Sequence, residues 1–205
     1  SEKAKLLMAQ EELTFSNLEK VTKKFQDTEV LLVGDTIVDR INYATTIGVS
    51  GKTPTISTKK LSSQDFIGGA AIVALHLAAA GAKVEFVTLL GKDSEGEWVK
   101  DRLSASGVKV KAITEPGRDT TLKESFDVDG YRVLKMDRVN NSPINYDTRK
   151  KIRQLISSKK SGLVVFSDFR HGIFDKSSCP QFVSALNPGV TSAADSQVAS
   201  RWGNI

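Results

Sequence analysis

The sequence predicts an α/β fold with a mostly parallel sheet covered by helices on both faces and a smaller β unit beside it. Continuous apolar runs at 30–33 and 163–166 are typical of parallel strands buried on both faces, and a further strand is predicted at 84–87. Segments with helical spacing separate these runs, as connections between parallel strands require. Segments 40–66 and 118–138 instead resemble short strands. They predict a small antiparallel unit that leaves the main sheet and covers a cleft as a flap.

The chain begins with a predicted helical extension at 1–28, followed by a core domain at 29–205. In the extension, apolar residues recur at intervals closer to 3.6 residues than to 2, with a break near Thr14. They are Leu6, Leu7, Leu13, Phe15, Leu18, Val21 and Phe25. This face predicts packing on the main domain or on a partner subunit, or a capping helix with no function of its own.

The later elements follow from the same patterns. Helices are predicted at about 70–80, 94–105, 146–157 and 175–186, and strands at 108–113, 121–128 and 131–136. The helix at 94–105 is expected to bury Trp98, Val99 and Leu103. Asp129-Gly130 suits a type I′ turn and predicts a hairpin between the last two strands.

Composition excludes several classes of protein. The net charge is +5 and the pI about 9.2, but Lys and Arg are spread along the chain, which argues against nucleic-acid binding. With Cys179 as the single cysteine, an intrachain disulfide is excluded, and a reducing cytoplasm is expected. No apolar run approaches the roughly 18 residues needed to span a membrane, so no membrane association is expected.

The segment Gly48-Val49-Ser50-Gly51-Lys52-Thr53 superficially resembles a phosphate-binding loop. That motif requires a glycine where this chain has Thr46, and a helix must follow it. Pro54 and a β-rich stretch follow instead. The sequence therefore predicts no phosphate-binding loop here, and no metal site is expected.

Polar residues follow two of the apolar strands, where open α/β sheets bind ligands. Asp35 and Asp39 follow the first strand, and Asp168 ends the strand at 163–166, with His171 close behind. Asp35 can simply cap the turn, and Asp168 can equally cap a helix or brace its loop, so position alone does not decide which aspartate contacts a ligand. Gly68-Gly69 opens a helix, and its paired glycines suit either close approach of a ligand or tight helix–sheet packing.

Several motifs occur together in a characteristic order. They are Val33-Gly34-Asp35-Thr36-Ile37-Val38-Asp39-Arg40, Ile67-Gly68-Gly69-Ala70-Ala71, Gly91-Lys92-Asp93 with Gly96, Thr120-Thr121-Leu122-Lys123, Lys135-Met136-Asp137 and Ser167-Asp168-Phe169. In this order and spacing they resemble the PfkB, or ribokinase-like, carbohydrate kinases from about residue 29 onward. Within that family the chain looks most like the kinase domain of bacterial phosphoheptose kinases.

The resemblance implies a ribokinase-like three-layer fold with a β lid, and an ATP- and Mg²⁺-dependent transfer to a sugar or sugar-phosphate hydroxyl. It places Asp39 on sugar hydroxyls and Gly68 and Gly69 against the sugar, and Lys123 becomes a candidate contact for an anionic substituent. The family's ATP-side segments are not found in the sequence, so the fold is expected to be incomplete at the C-terminus. The catalytic base is expected beyond Ile205, and the 205-residue chain alone is expected to be inactive.

One position departs from the family pattern. Ile72 stands where the family has a sugar-binding asparagine, and its side chain can neither donate nor accept a hydrogen bond. This leaves open a protein that only binds a ligand or another subunit, and also a nucleoside kinase of the same fold. In each case the exposed edges of the lid predict a homodimer through the lid.

Overall fold

The main sheet contains five parallel strands. The computed structural model describes residues 2–11, 13–160 and 162–197. The strands, in the order β5, β4, β1, β8, β9 across the sheet, are β1 Glu29–Gly34, β4 Lys83–Leu89, β5 Lys109–Ile113, β8 Leu163–Asp168 and β9 Thr191–Ser196. Val30 pairs with Val84 on one side and Leu163 on the other. β1 is therefore central, and its C-terminal end opens at the middle of the sheet.

Helices cover both faces of this sheet. Leu32 of β1 packs with helices α3 Ala70–Ala79 and α4 Ser94–Ala105. Leu31 and Val33 point the other way, into a core with α5 Tyr146–Ser158 and α6 Ser178–Val183. Alternate residues of β1 thus pack into two different cores, one on each face of the sheet. This explains why the apolar run at 30–33 is unbroken. The predicted doubly covered parallel sheet is confirmed.

A second sheet of four strands, called the lid below, lies beside the main one. Its strands, in the order β3, β2, β6, β7, are β2 Thr36–Val49, β3 Ile56–Gly69, β6 Leu122–Val128 and β7 Tyr131–Arg138. β2 pairs antiparallel with β3 and parallel with β6. The predicted hairpin turn is present, because Asp129 and Gly130 both have positive φ, at 51° and 86°.

Two short helices precede the main sheet, α1 Glu2–Gln10 and α2 Phe15–Lys23. Thr14 caps α2 by accepting a hydrogen bond from the Asn17 N–H, at the place where the sequence predicts a break. None of the described side chains of these helices is buried, so they do not pack into either core.

The structure differs from the sequence predictions in five places. β2 and β3 have 14 residues each rather than forming two short strands, and α6 is confined to Ser178–Val183. β9 was not predicted, and Trp98 is only half-buried. No helix of the described residues has the length and apolarity to span a membrane. The predictions about the chain's end concern residues 202–205, which lie outside the described residues.

Candidate functional site

The candidate site lies at the C-terminal edge of the main sheet, where the lid begins. β1 ends at Gly34, and the chain passes through Asp35 directly into lid strand β2. The loop after β8 reaches the same edge, because β1 and β8 are parallel neighbours with Gly34 beside Ser167. The passage from β1 into β2 and the loop after β8 therefore meet where the lid joins the sheet, as expected of ligand sites in open α/β sheets.

Asp39 lies in a row of side chains across one face of the lid. In the strand register it stands beside Phe66 of β3 and Lys123 of β6, and Lys123 in turn stands beside Asp137 of β7. Register partners on neighbouring strands share a face, so these side chains lie side by side. Lys135, two residues before Asp137, projects from the same face.

The Asp39 carboxylate is available to a ligand. Partial burial raises its pKa, the charges of Lys123 and Lys135 lower it, and Asp137 raises it again. Within the described residues no group donates a hydrogen bond to this carboxylate. Asp39 can therefore accept hydrogen bonds from two hydroxyls while two lysines beside it provide positive charge.

Gly68 and Gly69 fix the position of Asp39 in different ways. A Cβ at Gly68 would overlap the Asp39 carboxylate, so the glycine makes room for that group. A Cβ at Gly69 would overlap the backbone carbonyl of Asp35, and Gly69 has φ 61° and ψ −145°, a conformation almost restricted to glycine. Gly68 therefore serves the site, whereas Gly69 serves the fold.

This difference predicts opposite outcomes for two alanine substitutions. Gly68→Ala should change the free energy of unfolding by less than about 1 kcal/mol, because a flexible side chain can move aside. It should displace Asp39 and weaken ligand binding. Gly69→Ala should cost about 3 kcal/mol or more, because the backbone must shift. Urea denaturation and calorimetric binding of both variants test the contrast, and equal losses of stability would contradict it.

Asp35 and Asp168 hold the loop after β8 rather than projecting freely. The Asp35 carboxylate is buried and accepts hydrogen bonds from the N–H groups of Phe169 at 3.0 Å and Ile173 at 3.2 Å. Asp168 accepts from the Arg170 N–H at 2.9 Å and from the Ser196 hydroxyl at 2.7 Å. Both carboxylates thus shape the loop, and the contact of Asp168 with a substrate stays a prediction.

His171 is brought to the site by this loop, although sequence reasoning did not include it among the site residues. Burial and, to a lesser extent, the charge of Lys123 lower its pKa to about 4, while the charge of Asp137 opposes the shift. These influences place the ring within electrostatic range of the lid row. Nothing in the local sequence shows this proximity, because it arises from three strands and a loop far apart in the chain.

Asp35 and His171 should give opposite pH dependences of stability. Burial raises the pKa of Asp35 from 3.8 to about 6, so its contribution is full below 3.8 and is lost as the pH rises through 6. The pKa of His171 falls from 6.5 to about 4, so its contribution is present above 6.5 and is lost as the pH falls through 4.

The expected result is a pair of opposite slopes in urea denaturation between pH 4 and 7. Relative to the wild type, the free energy of unfolding of Asp35→Asn should rise with pH, because the lost contribution acts at low pH. That of His171→Asn should fall with pH. Parallel curves for the two variants would show that these groups do not titrate as described.

An ion-pair network anchors the lid to helix α4. Arg40 binds Asp65 through two hydrogen bonds, at 2.6 and 2.7 Å, and contacts Glu95 of α4 at 3.2 Å. Arg138 of β7 contacts the other oxygen of Glu95 at 2.9 Å. The hydrogen bonds that the Arg40 guanidinium donates to Asp65 raise the pKa of Arg40 above its usual range. The network lies on the lid face opposite Asp39. It links lid strands β2, β3 and β7 to helix α4 and so fixes the orientation of the lid relative to the main sheet.

The motif Gly91-Lys92-Asp93 has a structural role. Asp93 caps α4 by accepting from the Gly96 N–H at 2.8 Å, and it accepts from the Thr120 N–H at 2.8 Å and hydroxyl at 2.7 Å. Burial alone would raise the pKa of Asp93, but these hydrogen bonds outweigh burial and lower it. The motif thus ties α4 to the segment that leads into β6.

The Gly-Lys-Thr segment does not form a phosphate-binding loop. Gly48 belongs to β2 and residues 50–54 form the hairpin tip, so no helix follows the Gly-Lys-Thr segment. Within residues 2–11, 13–160 and 162–197, no three His, Cys, Asp or Glu side chains cluster to hold a metal ion.

The chain belongs to a family of sugar kinases. The family described as pfkB family carbohydrate kinase matches residues 27–181, which confirms the family predicted from the motifs. A curated relative, the Bifunctional protein HldE of Paramagnetospirillum magneticum, is 31% identical over 161 residues. The match covers 77% of this chain and 33% of the relative, so the chain spans about a third of the length of such relatives.

Solved structures agree on the fold. Phosphofructokinase-2 from Escherichia coli in complex with fructose-6-phosphate superposes with a TM-score of 0.63 at 15% identity, covering 84% of this chain and 56% of that one. Ribokinase from Cryptococcus neoformans var. grubii serotype A in complex with ADP gives 0.54 at 20% identity, covering 83% and 50%. The predicted ribokinase-like fold is confirmed.

Proposed function

We propose that the full-length protein is an ATP- and Mg²⁺-dependent carbohydrate kinase that phosphorylates a hydroxyl of a sugar or sugar phosphate. The family membership supports a kinase, and the observation that carries the substrate class is the Asp39 carboxylate. It lies beside Gly68, accepts no hydrogen bond within the described residues, and stands next to Lys123 in the lid. A polyol needs such an acceptor for its hydroxyls.

The lysines favour an anionic sugar. Lys123 and Lys135 both lower the pKa of Asp39, so both lie within electrostatic range of a ligand bound there. A phosphate at the far end of a sugar would meet these cations, and phosphoheptoses are therefore the first substrates to test. Gly69 and Asp168 belong to the proposed sugar site as well. Gly69 sets the backbone at the start of α3, and Asp168 shapes the loop after β8.

A coupled assay of ADP release by the full-length protein tests this function. The panel contains phosphoheptoses, hexoses, hexose phosphates and nucleosides, which separates a sugar kinase from a nucleoside kinase. Turnover that is higher with phosphorylated than with plain sugars is expected. Lack of turnover with every member would contradict the proposal. The same assay on residues 1–205 alone should show none, because the catalytic base is proposed to lie beyond Ile205.

Ile72 supports a second candidate, a protein that binds a ligand or a subunit without catalysis. It occupies the first turn of α3, three residues after Gly69. A thermal-shift panel separates the two candidates. Stabilisation of the full-length protein by sugars but not by ATP supports binding alone, whereas stabilisation by both supports the kinase.

We also propose that the protein acts in the cytoplasm as a homodimer joined through the lid. Edge strand β7 is exposed along its whole length and carries Tyr131, Val133, Leu134 and Met136. Unpaired edges with apolar side chains favour pairing with a second copy. Sedimentation of the protein tests this assembly, and Leu134→Lys should shift a dimer to monomer; a wild type that sediments as a monomer would contradict it.

A further inference from the structure

The ring of His171 is fixed through one nitrogen and leaves the other unused. Nδ1 lies 2.7 Å from the side-chain carbonyl oxygen of Asn141. A carbonyl oxygen only accepts hydrogen bonds, so Nδ1 carries the proton and Nε2 bears a lone pair. The neutral ring therefore presents a hydrogen-bond acceptor at Nε2.

That acceptor is shielded from solvent and has no hydrogen-bond partner among the described residues. Buried polar groups nearly always have a partner, and an exception calls for a specific explanation. Because burial followed by the Lys123 charge lowers the pKa of His171 to about 4, the ring stays neutral at pH 7 and Nε2 keeps its lone pair.

The surroundings of the ring are those of a small polar subsite. His171 lines a cavity of about 10 Å³ together with Asp35, Thr36, Asp119 and Thr121. This volume suits one water molecule or one hydroxyl group. The charges of Lys123 and Asp137 act on the same ring, so the residue that lines this cavity is also within electrostatic range of the lid row that carries Asp39.

The loop that carries His171 is held rigidly. Asp35 binds the N–H groups on both sides of it, at Phe169 and Ile173. Arg118 donates a long hydrogen bond of 3.4 Å to the His171 carbonyl. Arg170 adopts a left-handed φ of 70°, and Gly172 one of 101°. A preorganised acceptor of this kind suits recognition of a ligand.

We infer that His171 is a specificity residue whose Nε2 accepts a hydrogen bond from one hydroxyl of the acceptor sugar. The inference rests on the proposed function and deepens it. The hydroxyl enters the small cavity, displacing a water if one is bound, while Asp39 accepts from other hydroxyls. Ile72 offers no polar atom to the sugar from helix α3, and His171 supplies an acceptor from a different loop.

The test compares two variants of the full-length protein in which a side-chain amide replaces the imidazole ring. His171→Asn retains a donor near the Nδ1 position but has nothing at the Nε2 position. His171→Gln places an amide oxygen near the Nε2 position instead. Calorimetry and steady-state kinetics are run with the best sugar substrate and with each of its monodeoxy analogues. Urea denaturation of each variant checks the fold.

We expect His171→Asn to raise Kd and KM for the parent sugar about 5- to 30-fold. For one deoxy analogue, the one that lacks the recognised hydroxyl, the variant and the wild type should bind equally. His171→Gln should recover part of the loss. A purely structural role would lower affinity for the parent sugar and every analogue by the same factor.

The outcomes separate the two proposals. If the wild type binds no sugar, both the proposed function and this inference are wrong. Two results with a wild type that binds sugar would overturn only the inference. Either His171→Asn binds the parent sugar as tightly as the wild type does, or it loses affinity by the same factor for the parent sugar and for every analogue. Should the variants fail to fold, a crystal structure of the wild type with sugar decides. A sugar oxygen within about 3.2 Å of Nε2 supports the inference, and a water alone at Nε2 overturns it.

Discussion

Replacing Asp39 by asparagine in the full-length protein is expected to lower kcat/KM for the acceptor sugar by about 10²- to 10³-fold. The substitution keeps the shape of the side chain but removes its charge and one of its acceptor oxygens. A hydrogen bond to a charged acceptor contributes about 1.5–3 kcal/mol, and Asp39 can accept from two hydroxyls. Most of the loss should appear in KM, because Asp39 binds the sugar throughout the reaction.

The matched control is Asp101→Asn, which removes a carboxylate from the exposed face of α4. It changes the net charge by the same amount but should leave kcat/KM within about twofold of the wild type. Coupled-assay kinetics with the best sugar, together with a thermal unfolding midpoint for each variant, provide the measurement. An Asp39→Asn enzyme with unchanged kinetics would show that the sugar binds elsewhere.

The architecture of the main sheet could be predicted because its strands are buried on both faces. The runs at 30–33 and 163–166 contain no polar residue, and this is a signal that the sequence shows directly. β9 gives no such signal, since Thr191–Ser196 is polar and has no buried residue. Its position is decided by pairing with β8, which is a long-range interaction.

The lid strands illustrate a second limit of sequence patterns. β2 and β3 extend to 14 residues each, but most of their outer halves are exposed on both faces. No alternation of apolar and polar residues is then required, so the sequence predicted two shorter strands. Backbone pairing between the two strands, not burial, sets their length.

Only those residues of the candidate site that lie within a single recognisable segment of the sequence could be predicted. Asp39 and the glycine pair stand in recognisable motifs, and the structure adds the physical link between them, namely that the Asp39 carboxylate occupies the space above Gly68. The row from Asp39 to Asp137 depends on the registers of β2, β6 and β7. A register is set by turns and long-range packing, so a local pattern does not contain it.

Arg118→Met is expected to lower the free energy of unfolding by about 3–5 kcal/mol, the largest effect on stability expected from a side chain near the site. Arg118 is buried and donates to Glu115 at 2.8 Å, to the Asn140 carbonyl at 2.8 Å and to the Ser142 carbonyl at 2.7 Å. Methionine fills similar space but donates nothing. Glu115, itself buried, would keep its charge and lose its cation.

Glu115 sharpens the test because its pKa reports on the pairing. Burial would raise this pKa, but hydrogen bonds from the Asn145 N–H, Thr148 and Arg118 outweigh burial and lower it. Without Arg118 the pKa should rise, and adding Glu115→Gln should recover part of the lost stability, because the unpaired buried charge disappears. The two substitutions should therefore be less than additive in a double-mutant cycle.

Urea denaturation at pH 7, followed by the fluorescence of half-buried Trp98, measures all three variants. Arg102→Met on the exposed side of α4 is the control and should change stability by no more than about 0.5 kcal/mol. The same cycle bears on the site, because Arg118 also holds the loop carbonyl of His171. If Arg118→Met proved as stable as the control, the contacts of Arg118 would not contribute to holding this loop, which Asp35 would then hold alone.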